Sequence, residues 1–357
     1  MTFVSLQALR GLAALGVVLF HLLPFEAKYL PGGSIVPPGF SAGRAGVDLF
    51  FVLSGFLAVL TTRGRAGAGA AQRFLLHRVT RIYPTYWFYC IPLVLAEIAS
   101  PGGLIGQHRP DVVASLLLIA NAAPPLLLVA WTLEFEIYFY LVFALLVCAR
   151  LSPRERVLAL LAWGGIVAIA HGLLAPTRGQ AVLDAVLSPL VFEFLAGCAA
   201  AYLCAGIPRA MTAVAGSMGC AVLAIGLVWS EALFGLPWLR VAVFGSGAAL
   251  LLIGCFGADA FMRRALPGVV VRIGDASYSL YLSHLFTIGA VGHVMSRLPP
   301  SARLFATPAF HVVALCIAVL ATLLVAELSY RWVECPLLRV SRYLIKPPAL
   351  PRTAPAA

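Results

Sequence analysis

Ten apolar stretches of roughly 20 residues each, at 5–24, 44–62, 83–100, 126–148, 157–175, 182–203, 212–232, 239–257, 274–296 and 305–329, constrain this chain more than any other feature. About 20 apolar residues in helical form cross the ~30 Å hydrocarbon core of a bilayer. The stretches therefore predict an all-α integral membrane protein of about ten transmembrane helices. Composition agrees: 62% of the 357 residues are hydrophobic and 11% charged, against about 45–50% and about 25% in soluble domains. A further apolar run at 112–123 is short and closed by Pro124 and Pro125, which predicts a re-entrant or interfacial segment instead of a crossing.

Cytoplasmic loops should hold most Lys and Arg. With the N-terminus inside and ten crossings, seventeen basic residues fall inside: Arg63, Arg65, Arg73, Arg78, Arg81, Arg150, Arg154, Arg156, Arg209, Arg263, Arg264, Arg272, Arg331, Arg339, Arg342, Lys346 and Arg352. Seven fall outside: Lys28, Arg44, Arg109, Arg178, Arg240, Arg297 and Arg303. Arg10, the remaining one of the 25, lies inside the first span. A full crossing at 112–123 would move the Arg150, Arg154 and Arg156 loop outside and invert this bias. Both termini are thus placed on the inner side.

The net charge of +11 reads as membrane topology. Its carriers are spread between apolar runs, so no basic domain suited to nucleic acid is formed. The eight cysteines lack metal-like spacing with one another or with histidine and read as small core hydrophobes, not disulfides or metal ligands. The first span differs from a cleaved signal peptide: it has no charged region ahead of it, contains Arg10 and is followed by no A-x-A-like site. Residues 1–346 read as one membrane-embedded domain, and 347–357, "ALPRTAPAA" in the main, as a disordered Pro/Ala-rich tail.

Ionisable residues inside spans are costly and usually mark a functional path. Arg10 and His21 are eleven residues apart in "LRGLAALGVVLFHL", so they share one helix face about 16.5 Å apart along the axis. Ala14 and Val17 between them suggest a groove for something long. The alternative is a snorkelling Arg10 and an interfacial His21. Asp48 opens the second span, antiparallel to the first, and is expected at the His21 level, where a carboxylate would fix the ring's tautomer; equally, it could be the N-cap of span two. Arg78 and Arg81 are helical neighbours able to clamp phosphate, or simply positive-inside flanks. Glu134 and Glu136 enter the fourth span, with Glu136 expected near His21 and Asp48, orienting an acceptor hydroxyl or holding an arginine. Glu193 is a further intramembrane carboxylate, and His284 lies in the ninth span. His77, His108, His171, His293 and His311 read as loop or satisfied core residues.

Six motifs in order resemble the acyltransferase 3 family of membrane acyltransferases, especially its exopolysaccharide acetyltransferase branch: "LRGLAALGVVLFH", "GVDLFFVLSGF", "RFLLHRVTRIYPTYW", "WTLEFEIYFY", "GDASYSLYLSHL" and "YRWVECPL". They run from residue 5 to about 340. The resemblance implies an acyl group, usually acetyl, passed from cytoplasmic acyl-CoA, a co-substrate and not a resident cofactor, to a hydroxyl of a glycan on or across the membrane. It implies His21 as catalytic base or acyl carrier, and Arg10, Arg78 and Arg81 as ligands of the CoA phosphates. Asp48 and Glu136 match catalytic motif positions. Ser54, Tyr83, Trp131, Tyr278 and His284 match positions of substrate-binding or structural character, and Glu334 and Pro336 match the last motif. Thr132 stands where many relatives have serine, Ile137 replaces a second acidic residue, and Glu134 is extra; these departures bear on the acceptor. The resemblance also implies a bacterial cytoplasmic membrane as location. The rival readings are a transporter or flippase of a lipid-linked glycan, for which the corresponding broken helices of an internal repeat are not visible, and an acyltransferase acting on a small secreted molecule.

Overall fold

A computed structural model describes residues 3–30, 32–101, 110–174, 181–204, 206–298 and 307–345. The tail 347–357, His108, Arg109, Arg178, Arg303, Lys346 and Arg352 lie outside these residues. Nine helical runs among the described residues are long and apolar enough to cross a bilayer. They are α1 (Val4–Tyr29), the stretch leading into α2 (Gly46–Thr62), α3 (Ala68–Ala99), α5 (Trp131–Cys148), α6 (Pro153–Leu174), α7 with α8 (Ala181–Val186 and Val191–Leu203), α9 (Arg209–Val228), α11 with α12 (Pro237–Arg240 and Ser246–Gly257) and α16 (Pro308–Ser329) with the turn beyond it. The short helices α4 (Val112–Leu117), α10 (Ser230–Phe234), α13 (Asp259–Ala265) and α14 (Gly268–Asp275), and α17 (Cys335–Ile345) at the end, join them. The tenth long helix, α15 (Ser277–Ser296), is less apolar because Ser277, Ser279, Ser283, His284 and Thr287 interrupt it, and all five are buried against other helices.

The run at 112–123 yields only the six residues of α4, about 9 Å of helix, far short of a crossing. Asp111 caps its start through the Ala114 N–H. Its last three carbonyls accept hydrogen bonds from three side chains of α3: Tyr86 to Ser115 at 2.8 Å, Trp87 to Leu116 at 2.9 Å and Tyr83 to Leu117 at 2.9 Å, which supplies partners that the end of a helix lacks. The third span is longer than expected from 83–100. It begins at Ala68 and runs 32 residues, about 48 Å, so the arginine-rich stretch continues the same rigid helix beyond the bilayer core.

Small residues set how closely the helices approach, as is usual where lipid removes the ordinary hydrophobic drive for association. At the crossing of α2 and α8, a Cβ on Gly55 would lie 1.9 Å from the Phe194 carbonyl oxygen, and one on Gly197 would lie 1.9 Å from that of Val52. α1 runs between two apolar clusters: Val17 belongs to the one built on α2, α3, α5 and α8, while Ala14, Val18 and Leu22 belong to the one shared with α15 and α16. π-helical turns, often found at functional positions, interrupt two long helices at Val241–Gly245 and Tyr330–Glu334. All eight cysteines are free thiols. Cys90 and Cys198 are buried as expected, whereas Cys148, Cys220 and Cys316 sit on the outer surface.

Candidate active site

At the end of the bundle where α1 begins, the projecting part of α3, the end of α2 and the C-terminal α17 enclose a cavity of about 530 Å³. Six arginines line it, Arg10, Arg65, Arg73, Arg78, Arg81 and Arg339, with His77 and a single carboxylate, Asp275. Such an excess of guanidinium suits a ligand carrying several phosphates. Arg78 and Arg81 do not form one symmetrical clamp. Arg81 is held by Glu334, fully buried at the π-turn, at 2.6 Å. The Arg78 guanidinium lies over the rings of Tyr140 and Phe74, at 4.7 and 5.2 Å, with Nη2 lacking a hydrogen bond among the described residues. Arg10 donates to the Gln7 side chain at 3.3 Å.

Arg10, Arg78 and Arg81 also wall a smaller chamber of about 120 Å³ that continues inward between α2, α3, α5 and α15. Its polar wall is built on Glu136, whose Oε1 accepts from the Ser54 hydroxyl at 2.6 Å and from the Tyr140 hydroxyl. Tyr278 lines the chamber and donates to the Ile82 carbonyl at 2.8 Å. At the inner end, the Tyr281 hydroxyl meets Thr132 at 2.9 Å and donates to the Val129 carbonyl at 3.0 Å. Thr132, one turn before Glu136 on α5, is the residue that meets Tyr281, and Glu136 shares the chamber with Arg10, Arg78 and Arg81. The expected groove over Ala14 and Val17 is corrected. Both are packed into helix contacts, with exposures of 1% and 3%, because small residues were needed there for close approach.

Beyond Tyr281 stand two histidines. His284 is fully buried, and its ring centroid is 4.8 Å from that of the half-buried His21. His21 Nδ1 donates to the Val17 carbonyl at 2.8 Å, and His284 Nδ1 donates to the Tyr281 carbonyl at 2.7 Å. A carbonyl can only accept, so each neutral ring is held with its proton on Nδ1 and a lone pair on Nε2. His284 Nε2 has no hydrogen-bond partner among the described residues.

Asp48 is not the residue that orients His21. It is fully buried in the first turn of α2 and pairs bidentately with Arg240, at 2.8 and 3.1 Å, with Glu193 buried in the same cluster. The alternative of an N-cap is corrected too, since Asp48 lies inside the helix and its side chain caps nothing there. An intramembrane carboxylate takes the strongest available cation, and the π-turn beside Arg240 presents one. Tyr83 faces α4, and Trp131 packs edge-on to Phe135 at 5.9 Å; neither lines the chamber. His311 is buried against Glu26, which also accepts from the backbone of Ile35 and Val36. His171 Nδ1 bonds the Leu187 carbonyl at 3.0 Å, and His293 is exposed near the end of α15. Sequence alone did not single out Arg65, Arg73, Arg339 and His77 as cavity residues or Tyr140 as a partner of Glu136. Tyr140 could have been found from its four-residue spacing to Glu136 on one helix face.

The sequence matches the acyltransferase domain of the acyltransferase 3 family over residues 3–327. Among curated proteins it is 30% identical over 322 residues to the exopolysaccharide production protein ExoZ of Rhizobium meliloti, covering 85% of this chain and 92% of that protein. It is 24% identical over 370 residues to the peptidoglycan O-acetyltransferase OatA of Listeria monocytogenes, and 26% identical over 374 residues to the O-acetyltransferase OatA of Staphylococcus aureus. Each of these alignments covers 93% of this chain but only 55% and 57% of the relative. No solved structure matches the chain. With the match extending from the first transmembrane helix to the end of α16, this multi-pass membrane protein belongs to the acyltransferase 3 family.

Proposed function

We propose that this protein O-acylates a surface or exported polysaccharide from the bacterial cytoplasmic membrane, taking the acyl group, acetyl in this reading, from cytoplasmic acyl-CoA. The observation that carries the proposal is a single helix, α1, which places Arg10 in the wall of a six-arginine cavity and His21 beside His284, about 16.5 Å further along its axis. The names of the ExoZ and OatA relatives support a polysaccharide acceptor and an acetyl group. The excess of basic residues on the arginine side supports a cytoplasmic donor site and cytoplasmic termini.

In this mechanism Arg10, Arg78 and Arg81, joined by Arg65, Arg73 and Arg339, hold the phosphates of CoA. The pantetheine arm enters the chamber, where the Glu136 carboxylate offers an acceptor to its amide N–H groups. His21 Nε2, kept unprotonated by the Nδ1–H bond to Val17, removes the proton of an acceptor hydroxyl. The oxygen attacks the thioester carbonyl, the C–S bond breaks, and the CoA thiolate takes the proton from His21. Attack by His21 itself would give an acyl-histidine instead, with ping-pong kinetics as its signature. General base help of this kind is worth about 10²–10⁴ in rate. The test is release of free CoA thiol from acetyl-CoA by purified membranes containing the wild type or His21→Ala, with a surface-polysaccharide extract as acceptor. Thiol release by the wild type that falls by about 10²–10⁴ in the variant supports the reading; equal release by both would sink it. A flippase would leave acetyl-CoA intact.

A further inference from the structure

We propose that Phe50 and Tyr281 form a constriction that selects the acyl group by size, admitting acetyl and rejecting longer chains. The proposal rests on the acyl-CoA reading above. The chamber behind Arg10 holds about 120 Å³, against about 530 Å³ in the arginine cavity that feeds it. Its lining includes Phe50, Tyr281 and Thr132 but neither histidine. Phe50 meets Tyr281 edge-on, with centroids 5.8 Å apart and planes at 71°. The Tyr281 ring is also 5.8 Å from that of His284, which stands 4.8 Å from that of His21. Tyr281 therefore stands between the chamber, which it lines together with Phe50, and the two histidines, and a thioester carried towards His21 brings its acyl chain against this aromatic pair.

The two jaws differ in stiffness. Tyr281 is buried and tied through its hydroxyl to Thr132 and to the Val129 carbonyl. Phe50 is half-buried and has no polar anchor, so it is the jaw able to yield. Acetyl presents one methyl group to the pair, whereas butyryl adds two methylenes that have to displace a ring. One methylene in a close-fitting pocket changes kcat/KM by about 10–200-fold.

The experiment compares acetyl-CoA with butyryl-CoA by thiol release in membranes containing the wild type, Phe50→Ala, Phe50→Leu or Tyr281→Phe, with the same polysaccharide extract. The quantity read is the ratio of the two kcat/KM values within each protein, from which the amount of folded enzyme cancels. The wild type is expected to favour acetyl-CoA by about tenfold or more. Phe50→Ala should reduce that preference by about tenfold, Phe50→Leu by less, and Tyr281→Phe, which keeps the ring, least. A wild type that uses butyryl-CoA as readily as acetyl-CoA would overturn the proposal, as would a Phe50→Ala ratio equal to that of the wild type. Absence of thiol release from both thioesters in the wild type would instead overturn the donor reading, and the constriction with it.

Discussion

The two ends of the α1 face carry opposite kinds of chemistry. Around Arg10 the site is wide, charged and redundant, with six arginines about a cavity of some 530 Å³. Around His21 it is built on two neutral rings, one half-buried imidazole set against another that is fully buried. A redundant polycationic cavity tolerates the loss of one contact, because neighbouring guanidiniums still neutralise the same phosphates. A base that has to meet an acceptor hydroxyl is harder to replace, because the neighbouring imidazole of His284 is fully buried. Changes at the His21 end should therefore act on kcat, and changes at the Arg10 end on KM.

The contrast can be broken most forcefully at the His21 end, where His21→Ala should cost about 10²–10⁴ in kcat while leaving acyl-CoA affinity within a few-fold. An increase in KM with kcat preserved would erase the distinction. Next in size is Arg81→Ala, which takes the guanidinium from the buried Glu334 carboxylate and leaves it the hydrogen bonds from the Ser279 N–H and hydroxyl. Breaking a fully buried pair costs about 3–5 kcal/mol; with Arg81 29% exposed and Ser279 still bound to Glu334 the cost is smaller, and the variant should still melt at lower temperature. Adding Glu334→Gln should restore most of that stability but not the lost affinity for acyl-CoA. Recovery of both would make Arg81 purely structural.

Arg78→Ala gives a smaller effect. Its guanidinium has no carboxylate partner among the described residues and stacks on aromatic rings, so stability should barely change while KM for acyl-CoA rises about tenfold, the value of one charge-assisted hydrogen bond. An unchanged KM would remove Arg78 from the donor site. The smallest expected effect is at Asp259, outside the spans. Burial pushes its carboxyl up, but hydrogen bonds from the Ser5 backbone and hydroxyl and from Arg263 outweigh this and hold it below the ordinary value. A lowered folded-state pKa contributes stability that is present above the unfolded value of about 3.9 and is lost as pH falls through the folded one. The gap in melting temperature between wild type and Asp259→Asn should therefore be full near neutral pH and close below about pH 4. A gap independent of pH would show that the carboxylate charge is not what ties the start of α1 to α13.

The same division separates what was legible in the sequence from what was not. Spans are written in local composition, so about ten helices, including the polar α15, and the failure of 112–123 to cross could be read from run length and the two prolines. The shared face of Arg10 and His21 follows from helical periodicity alone. Partners across the bundle are written nowhere locally: Asp48 meets Arg240 at a separation of 192 residues, and neither carries a pattern naming the other. Ala14 and Val17 illustrate a second limit, since small residues serve a ligand groove and a close helix crossing equally well. Only packing decides between the two.

The most direct measurement is CoA binding and acetyl-CoA turnover on the same preparations of wild type, His21→Ala and Arg78→Ala, in detergent. Division of labour along α1 predicts that His21→Ala binds CoA as the wild type does but releases almost no thiol, while Arg78→Ala binds more weakly and, at saturating donor, turns over at close to the wild-type rate. His21→Ala that loses CoA binding, or Arg78→Ala that loses turnover at saturation with full affinity, would contradict it.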